Sequence, residues 1–348
     1  MTARWLSARP PAEQRPLHVQ LEVTWRCNWR CVHCYQDNHD VEELTDADLD
    51  SLFPQLVLAG TLHLIVTGGE PLVRVGILEV LESARRHGLG ITLYTNAHRI
   101  TQVIAARLAR SVAVAEVSVL AGSANVHDQL CGVRGAFERT WAGVRHLLDA
   151  GVDVLIKTPL LAPAFDTLDA LYARVNDAGL DWNPDPDITQ SYARGTFPTA
   201  YRLSAAQTAS FYETFPRYRP RAGARSNDPG APNGVCLAGR QYAFIDARGN
   251  VYPCLSFKAA SDLREQLGEP HLRLGNIRTQ RFSDLWVGNE MLGEVRRASS
   301  ATFRRCADCT GTCSPCMAAN LEEHGHLFEP ATVRCTVGRA ARALPMVR

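Results

Sequence analysis

Between His18 and about Ile188, short β-rich runs alternate with longer amphipathic stretches, and this alternation limits the possible folds most tightly. The strand candidates are "HVQLEVT" (18–24), "LHLIVT" (62–67), "GITLYT" (90–95), "AVAEVSV" (113–119), "VDVLIKT" (152–158) and the weaker "LDWNPDPDI" (180–188). Between them lie helical patterns over Asp46–Ala59, Gly76–His87, Thr101–Arg110, Phe137–Ala150 and Thr167–Ala178. Thr45 followed by Asp48 has the form of a capping box, and Gly88, Gly151 and Gly179 stand where helices end. Strand, helix, strand repetition with right-handed crossovers builds a parallel sheet. Six such units predict an α/β fold, a partial (β/α)6 TIM-like barrel short of the closed eightfold form.

Ligands of such sheets bind at the carboxyl ends of the strands. Three of those ends are unusual here: "TWRCNWRCVHCYQ" follows the first strand, "TGGEP" the second, and "YTNA" closes the third. Cys27, Cys31 and Cys34 have the offsets of one helix face, yet Asn28, Trp29, Val32, His33 and Tyr35 are poor to middling helix formers, and no apolar stripe continues them. The spacing does not match the paired knuckles of a structural zinc ribbon. Three thiolates suit a four-iron cubane whose remaining iron takes another ligand. Histidines 33, 63, 87 and 127 show no metal-binding spacing.

"CNWRCVHC" resembles the CxxxCxxC signature of radical S-adenosylmethionine (radical SAM) enzymes, including the frequent aromatic residue before the last cysteine, here His33. The resemblance implies that Cys27, Cys31 and Cys34 hold one [4Fe-4S] cluster, with S-adenosylmethionine chelating the fourth iron. "GGEP" (Gly68, Gly69, Glu70, Pro71) resembles the family motif after the second strand. Its glycines would let backbone approach the cofactor, and Glu70 would accept a hydrogen bond from the cofactor's amino group. Thr95 and Asn96 at the third strand end, and Ser118 at the fourth, match family positions that touch the methionine moiety and the ribose. "HDQLCGVRGAF" (127–137) resembles the family's "HD…G…G-F" segment, although Leu120 and Ala121 stand where relatives often carry an acidic or aromatic residue and a glycine.

Near residue 216 the composition shifts: "PRYRPRAGARSNDPGAPNG" reads as a linker, and seven of the eleven cysteines follow in the last 113 residues. Cys236, "GNVYPC" ending in Cys254, "CADCTGTCSPC" (Cys306, Cys309, Cys313, Cys316) and Cys335 resemble a SPASM domain, which holds auxiliary [4Fe-4S] clusters. The quartet is tighter than the usual CxxCx5Cx3C. Carried over, Cys236, Cys254 and Cys316 bind a first auxiliary cluster, and Cys306, Cys309, Cys313 and Cys335 a second. A single zinc in a four-cysteine knot is the alternative. The expected organisation is an N-terminal extension (1–17), a radical SAM core (18–215), a linker (216–235) and a SPASM domain (236–348).

Lys plus Arg at 37 against Asp plus Glu at 36 leaves a formal charge of +1, which gives no general attraction for nucleic acid or anionic lipid. No apolar run approaches a membrane span, and the start lacks a signal-peptide core, so a cytoplasmic protein is expected. There, eleven cysteines point to cluster ligation rather than disulfides.

The family resemblance implies reductive cleavage of S-adenosylmethionine to a 5′-deoxyadenosyl radical that abstracts hydrogen from a substrate, with an electron donor such as flavodoxin or ferredoxin. SPASM relatives commonly modify peptides, so the expected substrate is a ribosomally made peptide or protein that is crosslinked, thioether-bridged or oxidised. A separate peptide-recognition protein is a candidate partner. The alternatives are a small-molecule dehydrogenase or decarboxylase of a cofactor or haem pathway, and a non-enzymatic metal-stapled binding module. Lys157, near Asp185 at the strand ends, is a candidate to orient a carboxylate, and Asp187 a candidate general base. A plain Lys–Asp pair at the barrel rim is the other reading.

Overall fold

A computed structural model describes residues 14–36, 41–188, 198–219, 236–266, 268–269, 271–297, 316–329 and 331. Six parallel strands follow one another across the sheet: β1 (His18–Glu22), β2 (His63–Thr67), β3 (Gly90–Thr95), β4 (Val114–Ser118), β5 (Asp153–Pro159) and β6 (Asp181–Asp185). The crossovers carry α1 (Asp46–Ala59), α2 (Ile77–Arg86), α3 (Gln102–Leu108), α4 (Ala124–Cys131), α5 (Ala136–Asp149) and α6 (Leu168–Asp177), and α7 (Ala205–Thr214) follows. This is the expected partial barrel.

Alternation along the strands sorts the side chains. Val19, Leu21, Leu64, Val66, Ile91, Leu93, Ala115, Val117, Val154 and Ile156 are buried in one apolar core with the helices. Their neighbours Gln20, Glu22, Tyr94, Glu116 and Lys157 therefore share the opposite, inward face. Thr45 caps α1 with the full box: its hydroxyl accepts from the Asp48 N–H, and the Asp48 carboxylate accepts from the Thr45 N–H at 2.8 Å.

α7 and the helices of the cysteine-rich region go beyond the sequence expectation, and two further differences bear on the site. The first is α4, eight residues of mixed polarity whose N-cap Ser123 makes no side-chain cap, so neither periodicity nor capping announces it. The second is the continuation of the sheet beyond the barrel. β7 (Tyr242–Ile245) pairs in parallel with β1, and β8 (Asn250–Tyr252) and β9 (Gly275–Asn276) follow antiparallel, which gives nine strands among the described residues. The cysteine-rich region thus continues the barrel's own sheet. Its helices are α8 (Leu255–Gln266), α9 (Phe282–Val287), α10 (Glu290–Arg297) and α11 (Met317–His324). α9 packs back on α1, and α11 packs on α8. The sixth strand is shorter than the run 180–188 and ends at Asp185.

Thr45→Ala removes the hydroxyl arm of the box and leaves the backbone arm to Asp48 in place. It is expected to cost about 1 kcal/mol, read as a lower urea midpoint with an unchanged slope.

Candidate functional site

From Val23 to Gln36 the chain forms neither helix nor strand, so the cysteines lie on a loop and the helix-face reading fails. Backbone hydrogen bonds clamp this loop on two sides. Towards "GGEP", the Val23 N–H donates to Thr67 O at 3.0 Å, the Gly69 N–H to Thr24 O at 2.9 Å and the Glu70 N–H to Arg26 O at 2.9 Å. Towards α4, the Arg30 N–H donates to Cys131 O at 2.8 Å and the Val32 N–H to Leu130 O at 2.9 Å. The segment "HDQLC" thereby finds its use.

Gly68 (φ +144°) and Gly69 are required by this clamp. An added Cβ would lie 2.1 Å from Thr24 O and 2.3 Å from Arg26 O respectively. The close approach these glycines permit in the protein itself is to the backbone of the cysteine loop. Side chains add further ties. Glu43 accepts from the Trp25 N–H (3.1 Å) and from Arg26 Nη2 (3.1 Å). Arg74 donates to Val23 O at 2.7 Å.

Glu70 is fully enclosed. One carboxylate oxygen accepts from the Leu72 N–H (3.0 Å) and the Thr95 hydroxyl (2.8 Å), the other from the Asn96 N–H (2.7 Å). Burial pushes its pKa up, and these donors pull it back. Its first task is to bind the end of β2 to the end of β3; a carboxylate has lone pairs left for a further donor. Asn96 Nδ2 donates to Asn28 Oδ1 at 2.8 Å, so this residue also reaches the cysteine loop. Pro71 starts the short 3₁₀ turn after Glu70. Ser118 closes β4 opposite Lys157 of β5.

Cys27, Cys31 and Cys34 are half-buried. Burial pushes the Cys27 thiol up to about 12, with Glu70 and Cys34 adding to the rise. A bare thiolate is disfavoured there and a metal-bound one is not, and thiolates are the donors an iron–sulfur cluster takes, so the residues fit a cluster. Trp29 is buried, with its ring edge-on to His127 at 5.2 Å and its Nε1 donating to His98 Nδ1 at 3.1 Å. Burial lowers the pKa of both His33 and His127 to about 4, so both rings are neutral.

Contrary to the reading that His127 lacks metal-binding spacing, one ligand atom from each of His127, Asp128 and Cys131 lies within 4.8 Å of the others. Both Asp128 oxygens, however, already accept backbone N–H groups, from Phe137 at 2.9 Å and from Gly135. The trio serves to shape α4 and the turn that follows.

A buried polar cluster joins the two ends of the cysteine loop. Glu22 Oε2 accepts from Trp25 Nε1 at 2.6 Å, and Glu22 Oε1 accepts from the Tyr35 hydroxyl at 2.9 Å and from the Gln36 amide. Against them lies Lys258 of α8, 1% exposed and ion-paired with Asp262, its ammonium 4.9 Å from the Trp25 ring centre and 5.7 Å from that of Tyr35. Burial works against the Lys258 charge, but Asp262, Glu22 and Asp246 outweigh it and its pKa is raised. Burial likewise lifts Glu22 to about 7, although Lys258 and the donors oppose it. Sequence reading missed this pair: Glu22 is one polar residue in a strand, and Lys258 sits in an ordinary amphipathic helix.

Cys236, Cys254 and Cys316 come together. All three pack on one core with Ala238, Phe244, Tyr252, Phe257 and Met317. Burial raises the Cys254 pKa, with Cys236 and Cys316 adding to the rise. Cys306, Cys309, Cys313 and Cys335 lie outside the described residues. Lys157 Nζ is 2.8 Å from Asp185 Oδ2 and 4.0 Å from Glu116 Oε1. That Glu116 oxygen is buried without a hydrogen-bond partner. Asp187 is exposed, and its N–H donates to Asp185 at 2.9 Å.

The Radical SAM superfamily profile matches residues 21–167, and the iron-sulfur cluster-binding SPASM profile matches residues 236–310. The chain carries a radical SAM domain followed by a SPASM domain. It is 28% identical to "Mycofactocin maturase MftC" of Mycolicibacterium smegmatis, over 96% of this chain and 86% of that protein. It is 26% identical to "AdoMet-dependent heme synthase" of Oleidesulfovibrio alaskensis, over 89% of this chain and 85% of that protein. Among solved structures, Streptococcus suis SuiB bound to precursor peptide SuiA has the same fold, with TM-score 0.72 and 17% identity over 94% of this chain and 76% of that one. Among the described residues no helix is long and apolar enough to cross a membrane.

Two outcomes are expected. Gly69→Ala opens the clamp, and iron retained after anaerobic reconstitution falls well below wild type while circular dichroism is preserved. For Glu22, a pKa raised from 4.5 to about 7 favours the protonated form in the folded chain, so stability is full below pH 4.5 and declines as pH rises towards 7. In metal-free protein the urea midpoint falls across that window by an equivalent of roughly 3 kcal/mol, and Glu22→Gln flattens the decline.

Proposed function

We propose that this radical SAM enzyme carries out an oxidative modification of a ribosomally made peptide or protein: a crosslink, a thioether or a side-chain oxidation. One observation carries the reading. Cys236 and Cys254 pack on β7 and β8, strands that extend the barrel's sheet beside β1, the strand that leads into the Cys27–Cys34 loop. An electron acceptor held there adjoins the barrel, as a net oxidation after hydrogen abstraction requires. The similarity to a maturase along nearly the whole chain supports the same reading.

In this account Cys27, Cys31 and Cys34 hold a [4Fe-4S] cluster. Gly68, Gly69, Glu70, Pro71, Thr95, Asn96 and Ser118 border the S-adenosylmethionine site. Cys236, Cys254 and Cys316 hold one auxiliary cluster, and Cys306, Cys309, Cys313 and Cys335 a second. Bound cluster and S-adenosylmethionine supply the one-electron cleavage that yields a 5′-deoxyadenosyl radical and the abstraction of a substrate hydrogen. The chain's own residues position the substrate. Lys157 is one face of an inward-facing polar group with Asp185, Glu116 and Tyr94, suited to orienting a substrate carboxylate. Asp187, exposed beside it, is the candidate base for a substrate proton. The proposed units are an extension (1–17), core (18–215), linker (216–235) and SPASM domain (236–348). The proposed setting is the reducing cytoplasm, with flavodoxin or ferredoxin as donor and a separate recognition protein presenting the peptide.

A second reading, haem-pathway chemistry on a small molecule, is favoured by the similarity to the heme synthase. Reconstituted enzyme with S-adenosylmethionine, dithionite and a peptide encoded beside its gene separates the two. A peptide mass loss matching hydrogens removed, in step with 5′-deoxyadenosine, supports the first reading. Turnover of an iron porphyrin with the peptide untouched supports the second. Lys157→Met is expected to lower substrate conversion about tenfold or more while uncoupled 5′-deoxyadenosine release persists.

A further inference from the structure

The buried ammonium of Lys258 belongs to neither cysteine set, yet it touches the surroundings of both. It lies over the rings of Trp25 and Tyr35, which stand two residues before Cys27 and one after Cys34. Glu22 gathers the same two residues and Gln36 by hydrogen bonds. On the other side, Lys258 is in the first turn of α8, which begins directly after Cys254, and its N–H donates to Cys254 O at 3.3 Å. α8 in turn packs on α11, which begins directly after Cys316. A fully buried ammonium is costly unless paired and hydrogen-bonded, and an apolar residue of similar volume would meet the packing need alone. Lys258 is paired with Asp262, and its place at the junction of two cysteine loops gives the charge a further use, since charges act over longer range where water is excluded.

We propose that Lys258 is an electrostatic strut: a positioning residue that joins both ends of the Cys27–Cys34 loop to the helix after Cys254, and whose positive charge holds the cluster on that loop at a higher reduction potential than the same loop would give without it. A nearby cation stabilises the more negative, reduced state of a cluster, and burial and local charge are among the factors that set such potentials. Asp262 is the ion-pair partner of Lys258, and Glu22 is the opposing charge that hydrogen-bonds the loop ends. Lys258 and Glu22 therefore form a matched pair with opposite expected effects. The inference rests on the reading that Cys27, Cys31 and Cys34 hold a cluster.

The test is a redox titration of the full reconstituted chain at pH 8, followed by the electron paramagnetic resonance signal that changes when S-adenosylmethionine is added. Lys258→Met is expected to shift that signal's midpoint to more negative potential with iron content unchanged, and Lys258→Arg to keep it near wild type. Glu22→Gln is expected to shift it in the positive direction, and reading it separately keeps the test open should Lys258→Met fold poorly. Midpoints that do not move, or that move the same way in Lys258→Met and Glu22→Gln, overturn the proposal, because loosened packing has no reason to follow the sign of the charge removed. Wild-type protein without any S-adenosylmethionine-responsive iron signal instead overturns the cluster reading beneath it.

Discussion

The site depends on a backbone clamp. The loop carrying Cys27, Cys31 and Cys34 has no regular structure of its own, and its order comes from five main-chain hydrogen bonds to β2, its following turn and the end of α4. Such a loop pays conformational entropy for every residue fixed, and the clamp offsets that cost before any metal binds. Two glycines make it possible, because a Cβ at either would press into a carbonyl of the loop. Glu70 then ties the same turn to β3, so three strand ends and the loop form one hydrogen-bonded unit. A cluster held by three thiolates needs this arrangement: the ligands must be placed while one coordination position stays open.

Buried charge does the second part of the work. Glu22, Lys258, Asp246 and Asp262 lie where the barrel meets the cysteine-rich extension, and β1 pairing with β7 makes that meeting a continuous sheet. Further along the inward face, Tyr94, Glu116, Lys157 and Asp185 form another polar group, with one Glu116 oxygen lacking a hydrogen-bond partner. The apolar side of the sheet is Val, Leu, Ile and Ala on β1 to β5, with Trp182 on β6. The barrel therefore has a conventional outer core and an unusually ionisable interior, which suits holding a polar substrate against a buried cofactor.

Much of this was legible in the sequence, for identifiable reasons. The six strands and the helix Asp46–Ala59 follow from period and capping, both local signals. The cysteine loop and "GGEP" fall at strand ends, as alternation requires. The contacts of Gly68, Gly69 and Asn96 with the loop backbone and Asn28 were not legible, because they join segments far apart in sequence. The pairing of β1 with β7 was not legible, because it joins residues more than two hundred positions apart and no local pattern encodes a partner. Lys258 was hidden for the same reason, since its meaning lies in Glu22, Trp25 and Tyr35, all distant in sequence.

The central claim is that the Cys27–Cys34 loop holds a four-iron cluster with a site for S-adenosylmethionine. The most direct measurement compares iron, acid-labile sulfide and the S-adenosylmethionine-induced spectral change in anaerobically reconstituted wild type and in the triple variant Cys27→Ala, Cys31→Ala, Cys34→Ala. The account predicts about twelve irons in wild type, about four fewer in the variant, and no spectral response to S-adenosylmethionine without the three thiols. Equal iron in both proteins, or zinc without sulfide, would contradict it.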